Sequence, residues 1–193
     1  MSSELAQLIR NRRTSKRSLD TPVSKELVKE LLFTASYAPF HKNEPWQVKL
    51  VTTEKEKIFL YTQVIKTLER NGQIHDEESR IRFEKKMTNL IIKAPATLLF
   101  GRKQSEDARA NTDAIQATAA LIQNFSLLLA ERDLVGFWAT PAFVLDEQLT
   151  RTLNFSEGME LIASYRIGYR DHSLPILKAN RQPLEAWVSD LCE

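Results

Sequence analysis

The sequence predicts an α+β domain in which helices pack around one sheet, with a long buried helix at its centre. Three observations carry that expectation. Stretches of helical period are interleaved with four short runs of strand length, Gln47–Thr52, Ala96–Gly101, Leu134–Thr140 and Glu160–Tyr169. The stretch from about Asn111 to Arg132 is apolar around most of a helical circumference, through Ala114, Ile115, Ala117, Leu121, Ile122, Phe125, Leu128 and Leu129. It therefore reads as a helix buried on several sides, with an alanine-rich upstream half that lets other backbones approach. Finally, 193 residues with 42% hydrophobic content and no linker or repeat suit a single domain spanning 1–193.

Taken in order, Leu5, Leu8 and Ile9 give a short amphipathic helix that runs into Arg10-Asn-Arg-Arg-Thr-Ser-Lys-Arg17. Ser24 caps a second helix whose apolar face is Leu27, Val28, Leu31, Leu32 and Ala35. The loop Phe40-His-Lys-Asn-Glu-Pro-Trp46 is rich in turn-formers and functional side chains, and alternation in the next six residues makes a strand. Within that loop, His41 is either an exposed histidine or a ligand contact, and Trp46 is either a core anchor or part of a binding edge. Thr53 caps a helix with Ile58, Tyr61, Val64, Ile65 and Leu68 as its apolar positions, broken at Asn71-Gly72. Residues 76–93 are helical but heavily charged, a solvent-facing or mobile excursion that could serve as a lid. After Pro95 comes a continuous apolar strand, then the central helix, then a strand ending at Pro141. Asp146 caps a short helix before the last strand. The segment 171–193, with Pro175 and Pro183, is a tail that lies across its own subunit or a partner.

Within the central helix, Asp113, Gln116, Gln123, Asn124 and Ser126 need hydrogen-bond partners if buried, and with the flanking charges they exclude a membrane span. A formal charge of +2 gives no reason to expect a polyanionic partner such as nucleic acid. The five glycines are scattered, so neither GxGxxG nor a P-loop can be written, and a bound nucleotide must be held by side chains. There is no GxSxG nucleophile elbow, and no Cys or His pair has zinc-like spacing, so no metal is expected. The single Cys192 and a start without an apolar signal core point to a reducing cytoplasm. Five cations within Arg10–Arg17 admit three readings: a solvated cluster, a nucleic-acid or targeting patch, and a pocket for one phosphate monoester. Guanidinium forks with Thr14 and Ser15 suit a compact dianion, whereas a nucleic-acid face needs more such charge than the net-acidic remainder supplies.

In order and spacing, four stretches resemble the FMN-dependent nitroreductase family, in its small single-domain branch. They are Arg12-Arg-Thr-Ser-Lys-Arg17, Ala38-Pro-Phe-His-Lys-Asn-Glu-Pro-Trp46, Gly136-Phe-Trp-Ala-Thr140, and Ile167-Gly-Tyr169 before an arginine-bearing tail. The resemblance implies a nitroreductase-like fold with a central, mostly antiparallel sheet, and a homodimer whose long helices pack together with one FMN in each of two interface sites. It implies that Arg12, Arg13 and Thr14 hold the FMN phosphate and ribityl chain, with Arg17 and tail Arg181 nearby. Tyr37, His41 and Asn43 would reach the flavin from the partner subunit, while Trp138, Ala139 and Thr140 would line the isoalloxazine.

The flavin would carry the chemistry, so no catalytic side chain is required. The implied activity is a ping-pong cycle in which NADH or NADPH reduces the flavin and a nitroaromatic or quinone-like small molecule takes two electrons. Phe40, Phe83 and Phe137 would make the acceptor pocket flat and apolar, with loose specificity. The loop at Asn43-Glu-Pro-Trp46 is one residue shorter than the family pattern. It motivates an alternative, a flavin-binding or flavin-free interaction protein of the same fold without efficient turnover.

Overall fold

A computed structural model of the chain describes residues 3–175 and 179–191. Among them are six α-helices, and each begins where a side chain accepts a hydrogen bond from the first turn. Ser3 caps α1 (Glu4–Asn11), Ser24 caps α2 (Lys25–Ala35), and Thr53 closes a capping box on α3 (Glu54–Arg70). Asp76, Asp107 and Asp146 cap α4 (Glu77–Met87), α5 (Ala108–Glu131) and α6 (Glu147–Thr152).

The four strands are β1 (Trp46–Val51), β2 (Ala96–Lys103), β3 (Leu134–Ala139) and β4 (Met159–Tyr169), in the spatial order β1-β2-β4-β3 with every pair antiparallel. The register sets Ala96 opposite Ile167 and Trp138 opposite Tyr165. Period-2 alternation then sends β-strand side chains to two helical layers. Leu98, Phe100, Tyr165 and Ile167 meet Val28 and Leu31 of α2 and Leu121, Ile122, Phe125 and Leu129 of α5. On the opposite face Val51, Leu99 and Leu161 meet Leu60, Val64 and Leu68 of α3, and Met87, Phe143 and Leu149. Phe125 is fully buried with Phe100 and Tyr165 at ring separations of 6.4 and 5.9 Å, so the long helix is clamped to the sheet through aromatic contacts.

Helix α5 is buried along one side by its own chain, through Ala114, Ala117, Thr118, Leu121, Ile122, Phe125, Ser126 and Leu129. The stripe Thr112, Ile115, Gln116, Ala119 and Gln123 stays open or half-open, with Ile115 46% exposed. Burial on several sides is therefore not achieved within one chain. Two of its polar interruptions find partners, one across to α2 and one within the helix: Asn124 Nδ2 donates to the Ala35 carbonyl at 3.3 Å and Ser126 Oγ to the Gln123 carbonyl at 3.0 Å.

Two expectations are corrected. On α3 the inward position is Leu60, fully buried, whereas Ile58 is exposed, because the core meets the helix one face further round. Residues 76–93 are solvent-facing only in their first half: α4 passes into a π-helical turn (Thr88–Ile92), and Met87, Leu90 and Ile91 anchor it in the second core. In the tail Leu184–Ala186 form one 3-10 turn, and Leu184, Trp187, Val188 and Leu191 are all exposed. Cys192 lies outside the described residues. Among those described, no helix is long and apolar enough to cross a membrane.

Candidate functional site

Beyond α1 the chain runs along the outer edge of β3. Thr14 forms a parallel bridge with Gly136, and the Ser15 N–H donates to the Gly136 carbonyl at 3.0 Å. Gly136 is required by close approach, since a Cβ there would lie 2.6 Å from the Tyr165 ring. Arg166 on β4 fastens the segment from beneath by donating to the Lys16 carbonyl and, at 3.4 Å, to Ser18 Oγ.

Along this strand-like path Arg12, Arg13, Lys16 and Arg17 all border one cavity, and Lys16 alone of the cluster also borders a second. One, of about 570 Å³, is walled by Arg12, Arg13, Thr14, Ser15 and Arg17 together with Leu134, Asp133, Arg170 and Asp171. The other, of about 490 Å³, is walled by Phe137, Ala139, Thr140 and Pro141 of the β3 edge and by Lys86, Asn89, Leu90 and Arg166. Lys16 contributes to both, and its ammonium stands 4.8 Å from the centre of the Phe137 ring. The charged residues lining the second cavity, Lys16, Lys86 and Arg166, are all cationic.

Within the cluster the arginines differ in what they touch. Arg13 donates to the carbonyls of Arg10 and Arg12 at 2.5 and 2.8 Å, shaping the segment itself. Arg12 is half-buried with Nη1 3.5 Å from Thr14 Oγ1. Burial pushes the Tyr165 phenol up to about 12, and the Arg12 charge works against that rise. Ser15 Oγ donates to the Arg17 carbonyl at 2.6 Å and accepts from the Arg17 N–H, closing a tight turn. Burial pushes the Arg166 guanidinium down, opposed by Asp20.

Other residues singled out in the sequence lie elsewhere on the subunit. Tyr37 is 80% exposed past the end of α2, edge-on to Phe33 at 6.0 Å. His41 Nδ1 is 3.9 Å from Asp113 Oδ2 at the start of α5, and Asn43 is exposed in the same loop. Phe40 packs edge-on against Trp46 at 5.4 Å, so Trp46 anchors the loop to the sheet. Trp138 points to the face of the sheet that carries Tyr165, is 40% exposed and lines neither cavity. Phe83 is half-buried beneath Arg82 and Lys86, and Arg181 is exposed in the tail, donating to the Asn180 carbonyl at 2.8 Å. The residues that sequence reasoning missed are Lys16, Lys86, Asn89 and Arg166. Lys16 sat in the flagged cluster, and Arg166 stood out as a cation inside an otherwise apolar strand.

YfhC of Bacillus subtilis (strain 168), a proposed NAD(P)H nitroreductase, is 28% identical over 177 residues, covering 91% of this chain and 89% of that protein. A nitroreductase-like family protein from Bacillus cereus superposes with a TM-score of 0.85 at 26% identity, covering 100% of this chain and 98% of the other. A nitroreductase from Bacteroides fragilis NCTC 9343, solved with bound FMN, shares the fold at a TM-score of 0.75 and 15% identity, covering 98% and 100%. The nitroreductase family model matches residues 9–169, which takes in the cationic segment, all four strands and the long helix, and the chain therefore belongs to the nitroreductase family.

Proposed function

We propose that the protein is an FMN-dependent NAD(P)H oxidoreductase that passes two electrons to nitroaromatic or quinone-like acceptors by a ping-pong cycle. The observation that carries this reading is the junction at Lys16, where a cavity rich in guanidinium and hydroxyl groups adjoins one with an apolar wall at Phe137 and Pro141. Such a donor set fits a phosphomonoester attached to a flat ring system, since Arg12 and Thr14 can take phosphate oxygens while the β3 edge packs against the ring. FMN, when bound, supplies hydride acceptance from NADH or NADPH and electron delivery to the second substrate. The residues of this chain bind and orient: Arg12, Thr14 and Arg17 at the phosphate end, with Arg13 shaping their segment, and Ala139 and Thr140 along the ring edge.

Tyr37, His41 and Asn43 lie away from both cavities, which supports their delivery to the site by a second copy of the chain. The open stripe on α5 around Ile115 and the exposed Phe33 and Tyr37 supply an apolar surface for that copy. Phe40, Phe83 and Phe137 would then border a shallow acceptor site of loose specificity, and tail Arg181 would complete the phosphate end. The test is steady-state kinetics with NADPH and a nitroaromatic as the varied pair. Parallel double-reciprocal lines are the expected pattern; intersecting lines, which require both substrates bound at once, refute the cycle.

A further inference from the structure

We propose that Arg166 is a positioning residue: its guanidinium, acting through the Lys16 carbonyl, holds the Lys16 ammonium inside the second cavity. Arg166 is 8% exposed and projects from β4 directly opposite Phe137 of β3. Its donors reach two segments far apart in the chain: the Lys16 carbonyl and Ser18 Oγ, the latter at 3.4 Å, in one, and the Lys93 carbonyl at 3.3 Å, just past the π turn, in the other. Its Nε is buried without a hydrogen-bond partner, and among the described residues no carboxylate lies within ion-pair distance of it. Burying a cation this way is costly unless its surroundings compensate, and here neutral oxygens do so at hydrogen-bond distance while the Asp20 carboxylate acts from further off.

What that arrangement fixes is the backbone at Lys16. The residue is solvent-exposed on a long flexible stem, so nothing in its own side chain obliges the ammonium to stay over the Phe137 ring. With the carbonyl tied to β4, the stem leaves the backbone from one place and spans a fixed distance to the ring, which lowers the entropy lost in holding it there. Three acceptors spread over two segments call for the planar fork of arginine, and a lysine at 166 would keep the charge but lose the fork. In functional terms the proposal rests on the flavin reading: a cation held at the ring-bearing cavity favours the form of the cofactor that has gained negative charge.

The test combines a flavin-free measurement with a flavin-dependent one on R166K, R166M, K16M and the R166K/K16M double variant. In the apoprotein the Lys16 side-chain methylene NMR signals are displaced by the Phe137 ring current. In R166K and R166M that displacement collapses. Retention of the displacement in R166K overturns the proposal whether or not FMN binds. In the FMN-loaded protein, K16M disfavours reduced over oxidised FMN by about tenfold, a fall of about 30 mV in midpoint potential for a two-electron couple. R166K, which keeps the charge, reproduces that fall and adds nothing in the K16M background, while R166M, which also strips a cation from the cavity wall, falls at least as far. A wild-type potential in R166K, additive shifts in the double variant, or a lowered Tm with unchanged potential each overturn it. Should R166M fail to fold, R166K still decides the question. Wild-type protein that binds no FMN while the NMR displacement is lost in R166K sinks the flavin reading and leaves the positioning role standing.

Discussion

Replacing Arg12 with glutamine isolates the phosphate grip from the rest of the site. Arg12 is half-buried at the wall of the 570 Å³ cavity beside Thr14, where its guanidinium can donate to a phosphate oxygen. A hydrogen bond to a charged partner is worth about 1.5–3 kcal/mol. Because this guanidinium keeps access to solvent, screening favours the lower half of that range, a loss of about 10- to 40-fold in FMN affinity. Riboflavin lacks the phosphate and should bind R12Q and wild type alike. The assay is titration of apoprotein with each flavin, followed by quenching of flavin fluorescence at fixed ionic strength. Arg13→Gln makes a contrasting control, since its guanidinium donates to the carbonyls of Arg10 and Arg12, and its loss should weaken both flavins by disordering the segment. Equal losses of FMN and riboflavin in R12Q, or no loss of either, would refute the assignment of the phosphate to this cavity.

Gly136→Ala should destabilise the fold by about 1–3 kcal/mol, the usual cost of overpacking, because the new methyl would sit 2.6 Å from the Tyr165 ring. An unchanged urea midpoint would contradict the packing of β3 against β4. Burial would raise the Glu56 carboxyl, but N–H donors of Thr53 and Thr52 and the Lys25 ammonium hold it at about 2 instead of 4.5. A depressed carboxyl stabilises above its unfolded value and loses that contribution as pH falls through its folded value. After discounting for its 37% side-chain exposure, Glu56→Gln should cost about 1–2 kcal/mol at pH 7, shrinking as pH falls from about 4.5 toward 2. A pH-independent cost in urea unfolding would contradict the capping geometry. Ile115→Glu places a charge on the open stripe of α5 and should convert a dimer to monomer in analytical ultracentrifugation, whereas an unchanged sedimentation coefficient would move the interface elsewhere.

Local chemistry made most of the fold legible. Ser24, Thr53 and Asp146 cap helices as their side chains promise, and the four strand runs all enter one sheet. What failed depended on three-dimensional context. The choice of Leu60 over Ile58 as the inward position turns on where the second core lies, which a helical period alone does not say. The packed end of residues 76–93 was masked by the charges of its first half, although Met87, Leu90 and Ile91 are ordinary core residues. At the candidate site the cluster of cations was legible as a cluster, but the reach of Lys16 from one cavity into a second was not. That placement depends on the parallel bridge between Thr14 and Gly136, a long-range pairing with no signature in the motif. Arg166 went unassigned because its neighbours, Tyr165 and Ile167, made the strand read as core; a cation in such a run was itself the signal.

The most direct test of the central claim is an absorbance spectrum of the purified protein, taken anaerobically before and after NADH or NADPH. A yellow protein, or a colourless one that turns yellow with added FMN, whose visible bands are bleached by the reduced nicotinamide, is the predicted result. Protein that stays colourless after incubation with FMN, or whose bound flavin neither nucleotide reduces, would contradict the account.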